Sequence, residues 1–269
     1  MSLVVTSRAL RSKKWWTMWW SIGVAAFVVI NIIFYPSFRD ESEEMNKMFE
    51  DLPETIRSLM GMGEGVDPFS PLGYLSSQVY AFALPLLLLI AAISLAGAIT
   101  GDEEHGLLEI TYALPLRRLR IFLERFFALF ILAIVLSAVG FIATAVSCSA
   151  VDLEMGIGAM AWASVTVTAL VLAVSGCSTL IGALTGRRGI AITVGTVVAV
   201  AGYVITSLAD ANIEFFEVLR PLSVFSLYDA IKILQTGGPS WSLLSLCGVA
   251  LVTTAGSLVL LERRDLRNA

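Results

Sequence analysis

The charged stretch Thr100–Glu124 carries the side chains of this sequence that are best suited to binding a partner protein. It lies between two long apolar segments, opens with three acids at 102–104, and turns basic after Pro115. We predict an amphipathic helix from about residue 102 to residue 113, with Thr100 or Asp102 as its N-cap. Acids stabilise the positive end of a helix dipole, and a proline disfavours helix at the residue before it. The apolar stripe of this helix comprises Leu107, Ile110, Thr111 and Leu114.

Residue types that perform catalysis or bind metals are scarce. The only histidine is His105, and the three cysteines, Cys148, Cys177 and Cys247, lie in separate apolar runs. This pattern argues against a zinc site and against a disulfide framework. The chain also lacks the Gly-x-x-x-x-Gly-Lys-Ser/Thr motif that cradles nucleotide phosphates. We therefore expect no catalytic residue, no metal and no cofactor in this chain.

The composition indicates an integral membrane protein. Hydrophobic residues make up 57% of the sequence and charged residues only 15%, whereas soluble domains carry about 25% charged residues. The apolar residues are gathered in runs long enough to cross a bilayer, which takes about 20 residues per helix. The expected fold class is all-α, with a bundle of transmembrane helices.

Six such runs are predicted, and we expect them to form a single domain over residues 1–269. The spans are residues 16–34, 74–99, 121–148, 159–184, 190–208 and 241–261. Pro85 is expected to kink the second span. Residues 36–71 are expected to form an outer loop with an amphipathic helix, and residues 100–120 a cytoplasmic loop. Residues 209–240 are expected to dip back into the membrane or to cap the bundle.

The distribution of charge predicts the topology. The amino terminus, the charged stretch to Arg125, the turn at 186–189 and the carboxyl-terminal tail hold thirteen of the eighteen Lys and Arg residues. Fifteen of the twenty-two acidic residues lie in the other connections. Because short loops rich in Lys and Arg stay in the cytoplasm, both termini are expected there. Glu124 and Arg125, at the start of the third span, are interpreted as interfacial residues whose side chains reach the headgroups.

The charged stretch resembles the cytoplasmic loop of membrane subunits of type-2 ABC exporters. In that family an acidic pair, a glycine, Leu-Glu and an apolar-proline-basic run recur in this order. The matching residues are Glu103, Glu104, Gly106, Leu108, Glu109, Leu114, Pro115 and Arg117 or Arg118. Leu107 replaces the usual threonine, and His105 stands where Arg or Lys is common. The resemblance implies that residues 100–120 form a coupling helix, which receives the motion of an ATPase.

Two further segments are similar to parts of the same family. Residues 7–16 resemble the basic connecting helix that opens such subunits, and residues 219–238 resemble the outer segment before the last span. The connecting-helix residues are Arg8, Arg11, Lys13 and Lys14, and arginines Arg117, Arg118 and Arg120 are expected at the headgroups. The candidate residues of an outer gate or cap are Phe215, Phe216, Pro221, Phe225 and Tyr228.

The resemblance implies a multi-pass permease subunit of an ABC exporter in the plasma membrane of a bacterium. Its partners would be a separate ATPase subunit that binds ATP and Mg²⁺, a second copy or related permease, and membrane lipids, but no nucleic acid. The apolar spans favour an amphipathic or hydrophobic cargo such as a drug, an antibiotic or a lipid. The alternative is a sensor or immunity protein that binds a peptide at its outer surface without transport. A membrane-embedded enzyme is a third class, and the scarcity of catalytic residue types counts against it.

Overall fold

The computed structural model of the protein describes Thr6 and residues 10–40, 52–59, 66–104 and 118–263. Every regular element in those residues is a helix. Six of the helices are long and apolar enough to cross a membrane, and we number them spans 1 to 6 in chain order. They are Lys14–Arg39, Pro71–Gly97, Phe122–Ala150, Ile157–Thr185, Arg188–Asp210 and Trp241–Leu261. The predicted all-α, six-span fold class is thereby confirmed.

The helices extend beyond the predicted spans at most ends, because the residues flanking each apolar run also favour helix. Their bounds are Lys14–Ile33 with Tyr35–Asp40, Pro71–Tyr74, Leu75–Ala83, Leu84–Glu104, Arg118–Ala150, Ile157–Thr185, Arg188–Asp210 and Trp241–Arg263. Lys14, which we predicted in the connecting helix, is the first residue of the span 1 helix. Short helices lie at Glu54–Leu59, Glu214–Leu219 and Ala230–Thr236, with 3-10 turns at Arg220–Leu222 and Val224–Leu227.

The predicted cap of a new helix at Thr100 or Asp102 is wrong. The helix of span 2 continues from Leu84 through both residues to Glu104. No proline interrupts residues 86–104, so nothing in the backbone forces the helix to end where the apolar run ends. The remainder of the predicted coupling loop, from His105 to Arg117, lies outside the described residues, as do residues 41–51 of the predicted outer loop.

Span 4 forms the centre of the bundle. Of its most apolar 18-residue window, 72% is buried inside the protein, against 11% for span 6 and 17% for span 1. Span 4 packs against spans 2, 3, 5 and 6, whereas span 1 packs mainly on span 3. The exposed side chains of the peripheral spans are large and apolar, for example Trp19, Leu251 and Val252. Such a surface suits contact with lipid rather than water.

Small residues allow the helices around span 4 to approach closely. A Cβ atom added to Gly176 would overlap Oγ1 of Thr253 on span 6, and one added to Gly195 would lie 2.8 Å from Cβ of Ser178. Gly186 has a φ of 66° and ends the span 4 helix, with its N–H donating to the carbonyl of Gly182. It therefore acts as a left-handed C-cap.

Span 2 contains a π-helical segment, Leu75–Ala83, immediately before Pro85. The N–H of Leu84 donates to the carbonyl of Val79, five residues back, instead of to that of Tyr80. The predicted kink at Pro85 thus takes the form of a change of helical register. Such π segments occur frequently at functional sites.

The two ends of the bundle hold different connections. One end, which we call the amino-terminal end, holds the start of span 1, the end of the span 2 helix and the turn at 186–187. The opposite end, which we call the far end, holds the turn at 151–156 and the short helices between Ala211 and Ser240.

Candidate functional site: an apolar groove with a bonded cover

An apolar groove of about 350 Å³ lies between spans 2 and 5. Its lining residues are Ala81, Phe82, Pro85, Leu86, Leu89, Ile90, Ile93 and Ser94 on span 2, and Ile192, Thr196, Ala199, Val200 and Tyr203 on span 5, with Phe225. Ser94, Thr196 and Tyr203 contribute the side-chain oxygens of this lining. The groove therefore has the size and chemistry to hold an apolar group.

Helical spacing explains why these residues share one wall. Phe82, Leu86 and Ile90 follow each other at four-residue intervals on span 2, and each is between 41% and 50% exposed. Residues four apart lie on the same face of a helix. On span 5 the small side chain of Ala199 faces them and leaves the space that the groove occupies.

Residues 220–228, which we call the cover, contribute Phe225 to the lining of the groove. Phe225 is buried and packs edge-on against Tyr203 of span 5, with their ring centroids 5.9 Å apart. A Cβ atom added to Gly202 would lie 3.1 Å from Cδ2 of Phe225, so the absent side chain lets the cover approach span 5. The sequence pattern alone did not indicate this close approach.

Ser223 bonds the cover to span 5. Its hydroxyl donates to the carbonyl of Gly202 at 2.7 Å and accepts from the Thr206 hydroxyl at 2.8 Å. It also accepts from the N–H of Phe225 at 3.1 Å, which fixes the turn that carries the phenylalanine. One buried hydroxyl thus satisfies three polar groups from two segments.

Tyr228 bonds the cover to span 2. Its hydroxyl donates to the backbone carbonyl of Tyr80 at 2.8 Å. Burial raises the pKa of Tyr228 well above its ordinary value, and neighbouring Tyr80 and Asp229 add to this rise. The hydroxyl therefore stays protonated, and remains a donor, throughout the physiological pH range.

Tyr80 itself links span 2 to span 4. Its hydroxyl donates to the carbonyl of Met160 at 3.0 Å and lies 3.2 Å from Oγ of Ser164, both on span 4. Ser137 of span 3 donates to the carbonyl of Ser164 at 3.0 Å. The cover is consequently bonded to a residue that itself contacts span 4, at the centre of the bundle.

The structure brings together only part of the predicted gate. Phe225 and Tyr228 belong to the cover, whereas Phe215 is 68% exposed and packs against the neighbouring Phe216, with their ring centroids 5.3 Å apart. Pro221 is exposed as well. Beside it, an ion pair of 2.8 Å joins Arg220 to Asp210 at the end of span 5.

A second set of contacts lies at the amino-terminal end, at the start of span 3. Glu124 is only 5% exposed, and its Oε2 accepts from the N–H of Thr6 at 3.2 Å. The hydroxyl of Thr6 donates to the carbonyl of Glu124 at 3.1 Å. Glu124, which we interpreted as an interfacial residue, thus also binds a segment 118 residues away in sequence.

The structure describes only some of the remaining predicted site residues. Asp102, Glu103 and Glu104 form the last turn of the span 2 helix, and Arg118 starts the next helix. Arg11 and Lys13 precede span 1, while Arg8 lies outside the described residues. The part of the chain that the structure describes holds no cluster of His, Cys, Asp and Glu that could bind a metal ion.

We expect Ser223→Ala to lower the free energy of unfolding by about 1–3 kcal/mol, because it leaves buried polar groups without a partner. Ser226→Ala is the matched control, since the Ser226 hydroxyl donates to the carbonyl of Ser223 within the cover itself. Denaturant unfolding of the purified protein in detergent measures both. An equal loss in the two variants would contradict the role given to Ser223.

A comparison with known protein families covers both parts of this site. The family described as ABC-2 family transporter protein matches residues 8–266, which include all six spans, the groove and the cover. Neither a curated protein nor a solved structure gives a significant match to the chain. The family match confirms the resemblance that the charged stretch indicated. The chain belongs to the ABC-2 family of transporter proteins, as a membrane permease of the type-2 ABC class.

Proposed function

We propose that the chain is the permease subunit of an ATP-driven exporter for an amphipathic or hydrophobic compound. The observation that carries this proposal is the groove, whose walls are almost entirely apolar and whose volume is about 350 Å³. Apolar walls bind an apolar group by removing it from water and offer few partners to a sugar or an ion. A drug, an antibiotic or a lipid chain fits this description.

The energy source is proposed to be a separate ATPase subunit that binds ATP and Mg²⁺, because the sequence has no P-loop motif. The ATPase is proposed to bind the coupling loop at 100–120, together with the connecting-helix residues. Span 2 supports this assignment, since one α-helix of 21 residues runs from Leu84, next to the groove-lining Pro85, to Glu104. A rigid helix of that length, about 30 Å, transmits a displacement of the loop to the groove.

The distribution of charge and the exposed side of the groove support a proposal for the direction of transport and for the assembly. In the sequence, thirteen of the eighteen Lys and Arg residues fall in the amino terminus, the stretch to Arg125, the turn at 186–189 and the carboxyl-terminal tail. The amino-terminal end is therefore proposed to face the cytoplasm of a bacterium. The far end with the cover then faces outward. The groove is open on one side, and a second copy or a related permease is proposed to complete the transport path there.

A three-variant experiment tests the proposal in vesicles that contain the permease and its copurifying ATPase. The first variant carries Asp at three positions, Leu107, Ile110 and Leu114. It should lose both ATPase binding and ATP-driven movement of an amphipathic fluorescent dye. Thr196→Trp should fill the groove, keep the ATPase bound and reduce dye transport about tenfold or more, since a bulky residue excludes cargo from a pocket. Ala255→Trp, at an exposed position on span 6, is the control and should leave transport unchanged.

Two results would overturn the proposal. Dye transport that survives the triple change with the ATPase absent would remove the coupling assignment. Equal transport by Thr196→Trp and the wild type, with both folded to the same unfolding temperature, would remove the groove as the cargo site. Binding of an extracellular peptide with no transport of any dye would favour the sensor alternative.

A further inference from the structure

The carbonyl of Tyr80 has an unusual position in the backbone of span 2. In an α-helix it would accept from the N–H of Leu84, four residues on. That N–H donates instead to the carbonyl of Val79, in the π register. In the same register the donor for Tyr80 would be residue 85, which is a proline and has no N–H. The π segment and Pro85 together leave the Tyr80 carbonyl without a backbone donor.

The Tyr228 hydroxyl takes the place of the missing donor, at 2.8 Å. A buried carbonyl without a partner costs free energy, so this bond stabilises the π register over the α register. In the α register the N–H of Leu84 would itself donate to this carbonyl, so the carbonyl would have a partner without the Tyr228 hydroxyl. The bond from Tyr228 therefore offsets a cost that only the π register carries, and its loss favours the α register.

We propose that Tyr228 is a register latch: its bond to the Tyr80 carbonyl holds the far end of span 2 in the π register, and its release lets that segment rewind as α-helix. A π-helix has more residues in each turn than an α-helix. Rewinding therefore rotates the side chains of the segment about the helix axis, by an angle that increases from Ala83 toward Leu75. Ala81 and Phe82, which line the groove, belong to this segment. Opening the cover and reshaping the groove are thus one event.

The hydrogen bonds of Ser223 to span 5 explain why the cover should detach at Tyr228. Ser223 holds the cover to span 5 and to its own turn through three hydrogen bonds, of 2.7, 2.8 and 3.1 Å. Among the described hydrogen bonds, the Tyr228 hydroxyl alone joins the cover to span 2. When spans 2 and 5 separate, the cover should therefore stay with span 5 and leave Tyr80.

Cysteine labelling of the purified permease tests the latch, with the three native cysteines replaced by alanine. The reporter is Ser77→Cys, in the π segment, where the serine is 2% exposed. Tyr228→Phe is expected to raise its rate of reaction with a maleimide about two- to tenfold, the factor that corresponds to one hydrogen bond of ordinary strength. A second reporter, Ser178→Cys, is buried between spans 4 and 5 and should keep its rate.

Two comparisons separate a change of register from general loosening. Tyr35→Phe is the matched control, because it removes another hydroxyl bonded to a carbonyl, that of Phe69 at 3.2 Å, outside the cover. On a Pro85→Ala background the new N–H supplies a backbone donor, so Tyr228→Phe should have no further effect. An unchanged Ser77→Cys rate, the same increase in Tyr35→Phe, or the same increase on the Pro85→Ala background would each overturn the proposal. No ATPase or cargo is needed, so the outcome is independent of the proposed export function.

Discussion

Gly176→Ala is expected to destabilise the bundle by about 3 kcal/mol, the upper part of the range for overpacked cores. The added methyl group would overlap Oγ1 of Thr253 and lie 3.1 Å from its Cβ atom. Span 6 would have to move away from span 4, which is the centre of the bundle. A Gly-to-Ala change in a helix normally stabilises it by about 1 kcal/mol, so a loss must come from the contact between the helices.

Gly248→Ala is the matched control for this prediction. Gly248 lies on span 6, and a Cβ atom added there has no heavy atom within 4 Å. The free energy of unfolding of the Gly248→Ala variant should therefore stay the same or rise. Adding Thr253→Ala to Gly176→Ala removes the overlapping Oγ1 atom and should restore part of the loss, which makes the effect a coupling between neighbours. If Gly176→Ala and Gly248→Ala unfolded at the same denaturant concentration, the close packing of spans 4 and 6 would be refuted.

The sequence predicts the spans but not the contacts between them. Apolar runs and proline positions are local signals, and they indicated six helices and the irregularity at Pro85. The contact of Gly176 with Thr253 depends on how two distant helices meet, and a Gly-x-x-x-Gly spacing such as that of Gly182 and Gly186 does not point to it. In a chain with 21 glycines such spacings arise by chance.

The same limit applies to the site. The residues that we predicted for an outer gate or cap include Phe225 and Tyr228, but also Phe215, which is exposed. The hydroxyl of Tyr228 binds the backbone carbonyl of Tyr80, 148 residues away in sequence. A pattern of side chains does not reveal which backbone carbonyls lack a backbone donor. The one local signal was Pro85, because a proline always removes the donor for a carbonyl in the preceding turn.

Glu124→Leu is expected to release the amino-terminal segment from span 3. The substitution removes the carboxylate that accepts from the N–H of Thr6 and leaves that buried donor without a partner. Such a loss costs about 1–3 kcal/mol, so the released form should become about fivefold or more abundant. Trypsin can report this directly, because Arg8 and Arg11 follow Thr6 closely in the sequence. The rate at which trypsin removes the amino terminus should rise by the same factor.

Glu124→Gln is the control that isolates the hydrogen bond. The amide keeps an oxygen at the position of Oε2, so the N–H of Thr6 retains an acceptor and the cleavage rate should stay near that of the wild type. Since the released segment continues into the proposed connecting helix, Glu124→Leu should also reduce ATP-driven dye transport while leaving the groove intact. A cleavage rate unchanged in Glu124→Leu would show that Glu124 does not hold the segment. Faster cleavage with undiminished transport would instead separate this contact from energy coupling and leave the coupling loop as the sole path from the ATPase to span 2.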